Sequence, residues 1–387
     1  MTDQNLDKLM WLSNAPWAPT GYGNQTALFT PRIASLGYDV AITAFYGLGG
    51  SRLDAGQIPI YPPGFETYGN DIIRANTKHF GADHFISLMD AWVCKPREFE
   101  GVKWMPWYPV DSDPLPPGVR DAVMHAHKRI VFSRFGEKMT NDAGLDCDYI
   151  PHGVDTNTFK PSDGDEIRDV MKIPRDAFVV GMVAANKGVP SRKAFAPQIA
   201  AFAKLREKHN DAILYIHAHS GVHGEPHTMD LTAYAESVGL VVDRDIRFAD
   251  PYNLIVNAYT PKLMAQIYSM MDVHMLASMG EGFGIPTVEA QACGTPVIVG
   301  DWTASGELCF SGWKIPKSGA SRWWTPLNAY QYMVHEDAAL EALESAYQMK
   351  GNKAYRKAAR KGALAYDADR VTEKYWKPFL KKVYDAQ

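Results

Sequence analysis

Short apolar runs separated by helical stretches recur along almost the whole chain, and that alternation limits its possible folds more than any other feature. Leu9–Ser13 is apolar, and a Pro/Gly-rich loop runs from Asn14 to Gly23. A helix that Asn24 can cap and Gly37 can end follows, then a second apolar run at Val40–Phe45. Further strands are expected at His84–Leu88, Lys103–Tyr108 and Arg129–Phe132. Strands that alternate with helices argue for a parallel α/β sheet. From Pro151 to Asp165 the texture changes to Pro, Gly and Asp with few apolar residues, as in a domain linker. The alternation then restarts. Strands are expected at Phe178–Ala184, Ala212–His217, Ile246–Phe248, Val273–Leu276 and Pro296–Val299, and helices at Phe195–Lys208, Leu231–Val238, Pro261–Met270 and Pro286–Cys293. Long helices are expected from Glu336 onward. The 387 residues amount to two or three domains of the usual ~150 residues, so two doubly wound α/β domains with a cleft between them are expected.

Composition narrows the function classes. At 46% hydrophobic and 22% charged, the chain is an ordinary globular protein. Its 40 basic and 44 acidic side chains leave a net charge of −4, with no global pull toward nucleic acid or an anionic membrane. The charge is unevenly placed: residues 1–160 carry −4 and residues 351–387 carry +6. That basic excess, on a helical pattern, reads as a solvated helix face or as a contact with phosphate, lipid head groups or nucleic acid. Four cysteines without a CxxC argue against a disulfide framework or structural zinc and fit a reducing cytoplasm. Asp3 and Asp7 stand where a signal peptide would be basic and then apolar, and no apolar stretch approaches the ~20 residues that span a bilayer. A soluble, cytoplasmic protein is expected.

The chemistry concentrates between Ala277 and Ile298. This stretch leaves a strand, turns through Gly282 and Gly284, and enters a helix that Pro286 is suited to start. Backbone N–H groups of Gly282–Gly284 and of the helix start offer an anion site, most simply for a phosphate. Glu281 and Glu289 flank it. Carboxylates repel phosphate, so they fit better as acceptors of sugar hydroxyls. On composition alone, a glycine turn with a capping Glu at each end would serve as well.

The segment from Glu281 through Thr295-Pro296-Val297-Ile298 resembles the Glu-x7-Glu motif of retaining glycosyltransferases of the GT-B fold, in particular glycosyltransferase family 4 (glycosyl transferases group 1). Pro151-His152-Gly153-Val154-Asp155 with Phe159-Lys160-Pro161 resembles that family's interdomain segment, and Arg192-Lys193 its diphosphate-holding pair. The resemblance covers most of residues 151–335 well and the N-terminal half loosely. It implies two Rossmann-like domains. Residues 1–155 would form the acceptor side, with a last helix of about 365–387 packing back on it, and residues 166–364 would bind the nucleotide sugar. It assigns Glu289 to the ribose hydroxyls, Glu281 to the transferred sugar, and the backbone of Gly282, Phe283, Gly284 and Ile285 to sugar and diphosphate. Lys193 and Arg192 would stabilise the charge that develops on the leaving diphosphate. The implied activity is transfer of a hexosyl or pentosyl group, with retention, from a donor such as a UDP- or GDP-sugar to a hydroxyl. No metal and no separate cofactor are implied, because the donor phosphate itself helps deprotonate the acceptor.

The chain also departs from the family pattern. Gly181-Met182 replaces the usual Gly-Arg, so that either Arg192 or Lys187 supplies the second charge, or the site has one cation fewer. Tyr215-Ile216-His217-Ala218-His219-Ser220 replaces a Gly-x-Gly, and His219 is expected to line the donor site. His217, His219, His223 and His227 invite a metal reading, but no Cys or paired carboxylate completes a set. Gly21 and Gly23 occupy the family's first glycine-rich loop, where backbone approaches the donor phosphate. A dinucleotide fingerprint there lacks its third glycine and its acidic partner. Asp111 stands near the family's usual His and is a candidate to orient an acceptor hydroxyl, though an Asp near Pro is also an ordinary turn residue. Asp111-Ser112-Asp113 spells Asp-x-Asp, but that spacing occurs five times in the chain and selects nothing. Trp11, Trp17, Trp92, Trp104 and Trp107 are read as core or as stacking platforms. The acceptor stays open among a glycan, a lipid carrier with peripheral membrane contact, a small molecule and a DNA base. A nucleotide-sugar epimerase or phosphorylase of the same fold, or a non-catalytic sugar-nucleotide-binding module, are the competing readings.

Overall fold

The computed structural model describes residues 6–54, 56–221 and 227–385. They divide into two units. One holds residues 1–153, 326–329 and 366–387, and the other residues 154–325 and 330–365.

The first unit is built on a parallel sheet of seven strands: β1 (Lys8–Asn14), β2 (Asp39–Tyr46), β3 (Ile60–Tyr61), β4 (His84–Leu88), β5 (Lys103–Tyr108), β6 (Ile130–Val131) and β7 (Asp148–Tyr149). Their spatial order is β3-β2-β1-β4-β5-β6-β7. Strands covered on both faces read as unbroken apolar runs, and β1 and β4 are buried at nearly every position. The helix Gly21–Ser35 follows β1. It opens at Thr20, four residues before Asn24, because the Thr20 hydroxyl takes the Gly23 N–H at 3.0 Å. The C-terminal segment belongs to this unit through its core. Trp376, on a single π-helical turn, lies 5.7 Å from Trp11 and 5.0 Å from Trp107, ring centre to ring centre. Gly153 sits against Phe29 and Ala368 with no room for a Cβ, and its backbone is bracketed by the Gln25 amide at 2.8 and 2.9 Å. Close packing, more than chain flexibility, thus explains the glycine of Pro151-His152-Gly153.

The second unit repeats the winding with β8 (Phe178–Val183), β9 (Ala212–His217), β10 (Ile246–Phe248), β11 (Val273–Leu276), β12 (Val297–Gly300) and β13 (Gly312–Ile315), in the order β10-β9-β8-β11-β12-β13. An antiparallel pair, β14 (Ala320–Trp324) and β15 (Tyr330–Val334), is attached to it. Phe195, Ile199, Phe202 and Leu205 of the helix Phe195–Lys208 share a core with β8, β9 and β11 and with Ala339, Leu343 and Ala346 of the helix Glu336–Gln348. The expected linker is structured at its end, where a helix runs from Asp165 to Val170. Its Arg168 is buried, paired with Asp272 at 3.0 Å and donating to the Met270, Arg175 and Ala177 carbonyls. The basic helix Lys353–Ala363 is only partly a solvated face. Arg360 donates to the carbonyls of Thr156, Phe159 and Ala292, and Arg356 to that of Met271. Two of its five cations therefore tie chain segments together, which leaves Lys353, Lys357 and Lys361 exposed. No helix of the described residues is long and apolar enough to cross a membrane.

Candidate functional site

In a doubly wound sheet, ligands gather beyond the C-terminal ends of the strands where the winding reverses, which in the second unit is between β8 and β11. The loop after β8 carries Arg192 and Lys193, and the loop after β11 carries Gly280 to Gly284. They meet. Lys193 Nζ lies 2.5 Å from Glu281 Oε1, and Arg192 Nη1 lies 3.4 Å from Glu281 Oε2 while also donating to the Gly280 carbonyl. The backbone is laced across the same contact, with the Met279 N–H donating to the Arg192 carbonyl at 2.8 Å. Buried Gln198 accepts from the Ala277 N–H at 2.8 Å and donates to the Lys193 and Ala194 carbonyls. The Glu281 N–H donates to Thr303 Oγ1 at 3.0 Å.

Electrostatics then sets the two glutamates apart. Burial alone would raise the pKa of Glu281, but the charges of Lys193 and Arg192 pull it down to about 2, so it is ionised at any working pH. Glu289, in the helix Ile285–Ala292, makes no ion pair among the described residues; burial pushes its pKa up to about 7, with the Tyr268 hydroxyl at 2.9 Å offsetting part of the rise. Gly284 precedes that helix with φ +105°, a conformation that suits glycine, and no side chain caps the helix. The amides of Gly282 and Gly284 find no acceptor among the described residues. An uncapped N-terminus between a cation pair and a carboxylate can take an anion and a hydroxyl-bearing group side by side.

Of the residues singled out in the sequence, Arg192, Lys193, Glu281, Gly282, Phe283, Gly284, Ile285 and Glu289 share this corner of the fold. Met182, where the pattern has Arg, is fully buried in the core and brings no charge. Arg192 reaches Glu281, whereas Lys187 is exposed on the same loop and makes no ion pair among the described residues. His219 accepts from the Gly221 N–H, and its carbonyl accepts from the buried Asn186 amide, which pins the two loops together. His217 is held by the Tyr215 hydroxyl at 2.8 Å and the Tyr259 ring, and its burial lowers its pKa to about 4. His223 lies outside the described residues. No three His, Cys, Asp or Glu side chains among the described residues are grouped to hold a metal.

In the first unit, Gly21 is exposed at the helix start, but Gly23 is buried for a local reason. A Cβ there would stand 2.3 Å from the Ala18 carbonyl oxygen, so Gly23 serves the fold of its own loop. Asp111 is half-buried beyond β5 and accepts from the Ser112 hydroxyl at 2.9 Å. Gln198, Tyr268 and Thr303 were not anticipated. The legible signal was a buried-side polar residue in otherwise apolar helices at Gln198 and Tyr268; for Thr303, with φ +51°, there was none.

The two doubly wound sheets define the GT-B fold, and solved structures agree across nearly the full length. Sucrose-phosphate synthase from Thermosynechococcus elongatus superposes with a TM-score of 0.74 at 16% identity, covering 98% of this chain and 100% of that one. Anabaena HepE in complex with UDP-glucose superposes with a TM-score of 0.67 at 14% identity, covering 97% and 99%. Residues 177–320, which hold the whole corner described above, match the family described as glycosyl transferases group 1, and the chain as a whole has the GT-B fold. Among curated relatives, a D-inositol 3-phosphate glycosyltransferase of Geodermatophilus obscurus is 30% identical over 153 residues, 38% of this chain and 31% of the relative. The chain thus spans about a third of that relative's length.

Proposed function

We propose that this chain is a retaining glycosyltransferase that moves a sugar from a nucleotide-sugar donor to a hydroxyl acceptor without a metal ion. The observation that carries this reading is the convergence of Lys193 and Arg192 on Glu281 beside an uncapped helix N-terminus, at the winding reversal of the second sheet. In this reading the donor diphosphate lies against the Gly282–Ile285 amides, and the ribose hydroxyls donate to Glu289. The permanently ionised Glu281 accepts from the transferred sugar. As the glycosidic bond breaks, the β-phosphate gains charge, and Lys193 and Arg192 turn toward it from Glu281; the departing oxygen takes the acceptor proton. The HepE complex with UDP-glucose makes a UDP-sugar the first donor to try. Incubation with a panel of nucleotide sugars, read by released nucleoside diphosphate and thermal stabilisation, tests the reading, and NMR of the anomeric proton in the first product tests retention. A donor that binds and is turned over without releasing nucleoside diphosphate would replace transfer by epimerisation. Silence across the panel, with and without acceptors, would overturn the reading.

A further inference from the structure

The first unit has its own winding reversal, between β1 and β4, and the loops beyond its strand ends carry an unusual set of side chains. Of the tryptophans in this half, Trp11, Trp104 and Trp107 on strands are buried, whereas Trp17 and Trp92 on loops are 48% and 47% exposed. Tyr46, Phe65 and Tyr68 are exposed as well, Phe65 completely. Four of these five rings sit on neighbouring loops, and Tyr46 ends β2 beside them. Trp17 Nε1 donates to the Gly47 carbonyl, next to Tyr46, at 2.6 Å, and Tyr68 packs on Phe45 at 5.9 Å. The Asn70 side chain bonds the Val93 carbonyl and the Lys95 N–H, which joins the Tyr68 loop to the Trp92 turn. Trp17 and Tyr68, held by such contacts, present flat apolar faces at little entropic cost.

The charges on these loops decide what the rings meet. The stretches after β1 to β5 (residues 15–21, 47–59, 62–72, 89–95 and 109–116) contain two cations, Arg52 and Lys95, and six carboxylates. Each cation is spent on one of those acids, Arg52 on Asp54 at 2.6 Å and Lys95 on Glu66 at 2.7 Å. The helix after β1 is already capped by Thr20. A phosphate-bearing molecule would meet net negative charge, whereas sugar hydroxyls donate to carboxylates and sugar C–H faces stack on rings.

We propose that this edge of the first unit is an acceptor site for an uncharged carbohydrate, stacked on Trp17, Phe65 and Trp92, and does not take a phosphorylated polyol or a nucleic acid. The inference rests on the glycosyltransferase reading for the word acceptor, but its test does not. The full chain is titrated, by tryptophan fluorescence and saturation-transfer NMR, with neutral tri- and tetrasaccharides, with myo-inositol phosphate and with a single-stranded oligonucleotide carrying hydroxymethylated bases. Saturable binding of neutral saccharides alone is expected. Trp17→Ala, Phe65→Ala and Trp92→Ala should each weaken it about tenfold, the size of one lost ring stack and its buried area. Melting curves identify any variant that unfolds. The proposal falls if phosphate-bearing probes bind in preference, if no neutral saccharide binds, or if the three folded variants bind as the parent does. It also falls if sedimentation shows these rings sequestered in a dimer. A chain that binds saccharide yet releases no nucleoside diphosphate from any donor would sink the catalytic reading and leave this site standing.

Discussion

The two sheets share one winding order from their first strand to their sixth, yet the loops at their strand ends do opposite things. Beyond β8 and β11, charged side chains are drawn inward and paired, with Glu281 almost wholly buried, and the helix that follows is left without a side-chain cap. Beyond β1 and β4, aromatic rings face outward and the helix caps itself through Thr20. Identical topology therefore fixes where a ligand can sit, while the loops set what the ligand must bring. An uncapped N-terminus beside a cation pair leaves amides free to take an anion, and a side-chain cap such as Thr20 occupies one of them.

The comparison breaks first at Lys193. If its ammonium stabilises the leaving diphosphate, Lys193→Ala should lower kcat about a hundredfold with a much smaller change in donor KM, as removal of one transition-state donor does. Steady-state release of nucleoside diphosphate checks this, and parental turnover would dissolve the distinction between the two sheets. Glu289→Ala should act differently. In the proposed donor pose it removes the acceptor of the ribose hydroxyls, and it is then expected to raise donor KM about tenfold while kcat falls less.

The two glutamates also titrate in opposite senses. Glu289 has its pKa raised from 4.5 to about 7, so the free protein holds a proton there at pH 6, and if the carboxylate accepts from the donor's ribose, binding requires that proton to leave. Donor affinity should fall as pH drops from 8 to 6, by up to about tenfold, and this slope should vanish in Glu289→Gln. The folded chain binds that proton more tightly than the unfolded one, so the stability it contributes is complete below pH 4.5 and lost as pH rises to about 7. Glu281, lowered from 4.5 to about 2, runs the other way: its contribution is complete above pH 4.5 and lost as pH falls toward 2. Denaturant titrations of the parent against Glu281→Gln and Glu289→Gln across this range should give two stability differences that slope in opposite senses.

What the sequence revealed follows from where the apolar residues had to go. Strands buried on both faces were legible to within a residue: Lys103–Tyr108, Ala212–His217 and Val273–Leu276 stand where their apolar runs placed them. The two-residue strands β3 and β7 and the exposed hairpin of β14 were not, because their pairing comes from neighbours in space and leaves no run in the chain. The glycine turn at 280–284 and the helix behind it could be read, since both are local. That Lys193 would lie on Glu281, 88 residues away, could be inferred only through resemblance. Charge at Arg356 and Arg360 misled for a related reason, since composition cannot distinguish a solvated cation from one bonded to buried carbonyls.

The smallest effect tests the capped side. Thr20 Oγ1 takes the Gly23 N–H at 3.0 Å and the Asn14 amide at 2.6 Å, so Thr20→Ala leaves a helix N-terminus and a loop amide without their acceptor. Loss of such a cap costs about 1 kcal/mol, to be read as a lower denaturant midpoint at an unchanged slope. If the cap has closed this helix end to anions, the variant should expose amides like those before Ile285, and inorganic phosphate should then recover part of the lost stability. Phosphate that stabilises parent and variant equally would mean that the Thr20 cap does not govern anion access. In that case the difference between the two sheets would rest on the Lys193–Arg192 pair alone.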